Sequence, residues 1–130
     1  MKYILDHSKD FEFEKAGFEP PYKSEWESFL SLRPRLSVPP FKEERVALFY
    51  ELAKLLNASA FEHSAELEII ANEDNHLGGF TWIGQGFEVF CVEESPTKSV
   101  LALALQSANS VHLSAKDGKI QIFMVLNLSN

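Results

Sequence analysis

A single cysteine, Cys91, stands among 130 residues, so no internal disulfide can staple the fold and packing has to hold it. Long apolar runs are also missing. The longest, VLALAL at 100–105 and IFMVL at 122–126, fall far below the roughly 20 residues of a membrane-spanning helix. The opening MKYILDHSKD has only three consecutive apolar residues before Asp6, too few for the apolar region of a secretory signal. The expected compartment is therefore the cytoplasm. Basic side chains are scarce: 12 Lys and Arg against 19 Asp and Glu give a formal charge of −7. Arg33 and Arg35 form the only close arginine pair, and nucleic-acid binding, which draws affinity from cations on phosphates, is not expected. The acidic excess sits in residues 43–75, with eight carboxylates and two cations. It reads as a solvated face or as a surface for a basic partner.

Glycine is scarce as well, six residues in all, yet four of them (78, 79, 84 and 86) crowd into HLGGFTWIGQGFEV at 76–89. A dinucleotide fingerprint needs a third glycine and a following helix; GQGFEV offers neither and runs into GFEVFCV, which reads as strand. The glycines read instead as hairpin punctuation, with Gly84 and Gly86 taking positive φ around Gln85 while Gly78 and Gly79 relieve crowding beside Phe80 and Trp82. His7, His63, His76 and His112 form no spaced ligand set, and neither HSAE at 63–66 nor NEDNH at 72–76 matches a zinc or calcium pattern. No metal and no cofactor are expected. Cys91, central in an apolar run, reads as a small core residue.

What the chain has in quantity is periodic apolar sequence. Seven of its aromatics lie in the first 29 residues. Residues 1–22 read as an aromatic arm in which FEFE at 11–14 alternates like a strand. Ser24 and Glu27 form a capping box that opens a short helix, and Pro34 closes it. FKEERVALFYELAKLLNA at 41–58 carries the strongest helical stripe, through Val46, Phe49, Tyr50, Ala53 and Leu56. From Ala65 the period becomes two, with strands expected at 65–71, 79–84, 86–93, 99–106, 110–115 and 119–128. KDGK at 116–119 supplies the turn of the last hairpin. The stretch 99–106 also fits a helix opened by Ser95 and Pro96.

The order predicts one α+β domain over residues 1–130: an aromatic arm at 1–22, two N-terminal helices in 23–58, then a curved antiparallel meander of five to six strands in 65–128. This arrangement resembles helix-grip and cystatin-like cups, a likeness of architecture that carries no function. Two functional classes follow. One is an acidic protein-interaction module that pairs with itself as a homodimer: KIQIFMVLNL places Phe123 and Val125 on the face opposite Ile120, Ile122, Met124, Leu126 and Leu128, so the second face needs a cover. Either a second copy or the aromatic arm could supply it. The other class is a small apolar ligand held in a cup lined by Trp82, Phe87, Phe90 and Tyr50. In its enzymatic form, Glu66, Glu68 and His112 would be acid-base candidates working without a cofactor.

The absence of nucleotide and metal motifs has a measurable consequence. A ligand at 100 times its dissociation constant adds about 2.7 kcal/mol, which moves the thermal midpoint of a domain this size by several degrees. Midpoints recorded with ATP, NAD, zinc or a chelator should coincide with that of the protein alone.

Overall fold

Helical periodicity before Ala65 and strand periodicity after it become two layers. The computed structural model describes residues 1–85 and 106–129. Among these, strand β1 (Lys2–Asp6) is followed by helices α1 (Asp10–Ala16), α2 (Tyr22–Leu32) and α3 (Glu43–Glu62). Strands β2 (Glu66–Asn72), β3 (Leu77–Gln85), β4 (Ser110–Lys116) and β5 (Lys119–Asn127) complete the described elements. All pairings are antiparallel, and the sheet runs β1-β2-β3-β5-β4. The α+β class with an open antiparallel sheet is as the sequence predicts. A plain meander is not: β5, rather than β4, lies beside β3. The expected strands at 86–93 and 99–106 lie outside the described residues, which resume at Gln106.

The N-terminal arm departs most from expectation. Residues 2–6 are an edge strand, with Asp6 opposite Glu66 and Lys2 opposite Ile70. FEFE is helical rather than extended, which adds a third helix to the two expected. Asp10 and Glu12 in the first turn and Lys15 in the last suit the helix dipole. Gly17, at φ +76°, ends α1 with a Schellman pattern in which its own N–H donates to Glu14 O and that of Phe18 to Phe13 O. A four-residue alternation cannot outweigh those end signals. Helix α2 begins at Tyr22, behind Pro21, and its N-terminus has no side-chain cap. The Ser24 and Glu27 capping box is therefore not formed.

Helix α3 buries Val46, Phe49, Leu52, Ala53, Leu56 and Ala60 along one stripe, and that stripe lies on the sheet's inward face. Leu67 and Ile69 of β2, Phe80 and Trp82 of β3, and Ile122 and Met124 of β5 meet it, each fully buried. Phe29 brings α2 into the same core: its ring stacks on Tyr50 at 4.3 Å and meets Phe49 at 5.4 Å and Tyr3 at 5.5 Å. The start of α3 is tied to the end of β5, where Lys42 N–H donates to Leu128 O at 2.8 Å and Arg45 Nε to Asn127 O at 2.9 Å.

The glycines of β3 serve packing rather than turning. Gly84 lies mid-strand without positive φ, and a Cβ there would stand 2.7 Å from Trp82 Cη2 and 2.8 Å from Ala65 Cβ. At Gly78 an added Cβ would stand 2.7 Å from the Phe49 ring. The turn that does need positive φ is the KDGK hairpin. Asp117 (54°) and Gly118 (75°) form its two-residue loop, as the sequence predicts for a primed turn.

Filling the Gly84 clearance is overpacking, which costs about 1–3 kcal/mol. Gly84→Ala should lower the unfolding free energy by that amount, read as a lower urea midpoint at an unchanged denaturant slope. An unchanged midpoint would show that Trp82 and Ala65 move aside freely.

Candidate functional site

Residues paired across an antiparallel sheet share a face, so the register lays out the outward surface row by row. One row runs Ile4, Glu68, Thr81, Phe123, His112. The row beside it runs Lys2, Ile70, Gly79, Val125, Ser110, and the one on the other side Asp6, Glu66, Ile83, Gln121, Ser114. Ile4 is 52% exposed and Phe123 37%, while Ile70, Ile83 and Val125 are half-buried. Among the described residues, the helices make their sheet contacts on the opposite side. The aromatic arm does not close this surface either: β1 is part of the sheet, and Phe11 and Phe18 stay exposed.

The three acid-base candidates share this face without meeting. Glu66 and Glu68 are neighbours on β2, roughly 7 Å apart along the strand. His112 lies three strands away from Glu68 in the same row, roughly 14 Å at normal strand spacing. It is exposed, and it points away from Trp82, because their partners on β5, Phe123 and Ile122, are consecutive residues. Glu68 is paired with Lys2 at 3.3 Å, a surface ion pair of small energetic weight.

Of the ligand-binding candidates, Trp82 is fully enclosed and Tyr50 is 4% exposed. Tyr50 is occupied on every side: its hydroxyl donates to Phe29 O at 2.7 Å, its ring stacks on Phe29, and the Arg33 guanidinium lies 5.2 Å from its centroid. Phe87, Phe90 and Cys91 lie outside the described residues. Arg33 and Arg35 are each held by a carboxylate at 3.0 Å, Glu43 and Glu73 respectively. Among the described residues no three His, Cys, Asp or Glu side chains gather as a metal site.

Sequence reading missed a buried polar group at the other end of the molecule. His7 is 3% exposed. Its Nε2 lies 2.8 Å from Asn57 Oδ1 and its Nδ1 3.3 Å from Asp10 Oδ2, while its ring packs on Tyr22 at 4.4 Å and Phe61 at 5.7 Å. One local signal for this exists, the Asp6 cap on Ser8 N–H that turns the chain inward at His7. No protein-family model matches the chain, and no curated protein matches it either.

Burial raises all three tyrosines above their ordinary value near 10; for Tyr3 the Glu73 carboxylate adds to it, and for Tyr22 those of Asp10 and Glu14. Tyr50 shifts furthest, through desolvation first. Above about pH 10 the unfolded chain releases phenolic protons that the native state keeps. Stability is therefore complete below that pH and falls as pH rises. Denaturation midpoints should decline from pH 10 upward, and Tyr50→Phe should flatten the decline. At neutral pH that variant should lose about 1–3 kcal/mol, because Phe29 O is left without its donor.

Proposed function

We propose that this domain is a non-catalytic protein-interaction module whose first partner is a second copy of itself, docked through the outward face of the sheet. The observation that carries the reading is the presence of Ile4, Ile70, Ile83, Phe123 and Val125, spread over three adjacent rows, on a face to which no described helix is applied. An ordinary wet sheet face alternates to polar residues at such positions. Clustered apolar surface marks association sites.

The face is also mixed in charge: Asp6, Glu66 and Glu68 lie on the β1 and β2 half, where Lys2 reaches Glu68, and Lys119 lies on β5. β3 is the middle strand. A two-fold axis parallel to the strands and passing over β3 would lay β1 and β2 of each copy on β5 and β4 of its mate, a closed isologous pairing. The enclosure of Trp82 and the occupied surroundings of Tyr50 favour this reading over an apolar ligand in a cup. The separation of His112 from Glu68 favours it over acid-base catalysis.

Sedimentation equilibrium over a wide concentration range should give a mass near twice 14.7 kDa at high micromolar protein. A mass holding at the monomer value would overturn the proposal. Phe123→Glu should dissociate the dimer, because it places an unpaired charge in the contact. A variant that remains dimeric would locate the contact elsewhere.

A further inference from the structure

Where α1, the α1–α2 turn and the end of α3 converge, Phe18, Pro20, Tyr22 and Phe61 line an open cleft of about 500 Å³. Three carboxylates, Asp10, Glu14 and Glu19, share its lining. We infer that this cleft is a docking site for an arginine side chain carried on a basic segment of a partner protein.

The chemistry of the walls selects the occupant. Phe18 is 69% exposed and Phe61 63%, although aromatic rings are among the most costly groups to leave in water. Helix α1 buries none of its seven residues, so its apolar side chains are not spent on the core. A purely apolar occupant would strip water from three carboxylates without replacing it. A guanidinium satisfies both demands: its flat face stacks on aromatic rings and its edge donates to carboxylates in pairs. Asp10 holds its Oδ2 toward His7 and its Oδ1 is enclosed, so the exposed Glu14 and Glu19 are the carboxylates that a donor from outside reaches first. The upward shift of Tyr22, due first to burial and then to Asp10 and Glu14, agrees with the two carboxylates lying near the ring.

The cation already nearby does not fill the site. Lys23 reaches Glu19 at 3.5 Å with both groups exposed, a contact weak enough to be exchanged. The cleft is open rather than enclosed, and exposed rings of the α1–α2 turn (Phe18) and of α3 (Phe61) flank it, so the surface suits an extended polypeptide more than a small cation. The site is separate from the sheet face, and its occupation does not require the pairing proposed above.

The test is fluorescence anisotropy of a labelled peptide, GLRGLRGLR, against its counterpart with citrulline in place of each arginine. Loss of one stacked, charge-assisted contact is expected to weaken binding about tenfold. The arginine peptide should saturate at micromolar protein and the citrulline peptide should bind at least that much more weakly. The double variant Glu14→Gln with Phe18→Ser should weaken the arginine peptide similarly while leaving the thermal midpoint unchanged, since both side chains are exposed. Glu12→Gln, on the same helix but outside the cleft, and Phe123→Glu, on the sheet, should bind like the unaltered protein. Equal binding of the two peptides, indifference to the cleft variant, or no saturation at millimolar protein would each overturn the inference.

Discussion

The closeness with which α3 rides on β3 governs the architecture. Position 78 has no side chain, and the Phe49 ring occupies the space that one would fill. From that seat Phe49 reaches Phe80 at 5.1 Å and Phe29 at 5.4 Å, which links the sheet, α3 and α2 through one ring. Gly84 repeats the device further along the strand, where Trp82 and Ala65 close over bare backbone. With a side chain at position 78 the helix would stand away from the sheet, and the dense contacts on which interior packing depends would be lost.

That closeness sorts the remaining surfaces. The inward face takes up the largest side chains and leaves Trp82 and Tyr50 fully engaged in the core. Among the described residues, the apolar side chains left over lie on the outward sheet face and around α1. These two surfaces differ in chemistry. The sheet face is flat, ordered by register and mixed in charge, whereas the α1 cleft is aromatic, concave and acidic. Selectivity between the two occupants proposed for them would follow from those differences.

Features decided by near neighbours in the chain were legible from the sequence. Helix α3 showed itself through a sustained stripe, β2 and β5 through alternation, and the last hairpin through Asp117 and Gly118. The features that were misread depend on distant contacts. Nothing within YIL announces an edge strand, because β1 gains its hydrogen bonds from β2. The purpose of Gly78 is visible only once Phe49, far away in sequence, lies over it. Phe123 and Val125 could be assigned to one face from alternation alone. That His112 lies three strands from Glu68 required the exchange of β4 and β5 in the sheet order. His7 was passed over because a lone histidine near a helix start looks like surface until Asn57 and Phe61 are brought to it.

The pairing of β1 with β2 joins Asp6 to Glu66, sixty residues later. During synthesis β1 is made well before β2. At about 5–20 residues per second the interval is roughly 3–12 s, during which the KYILD backbone has no ladder to join. Helices α1 to α3 form from local contacts in that time and can gather the Phe29 cluster. Nascent chains stalled before residue 66 would present a strand with unpaired amides to whatever meets the ribosome exit.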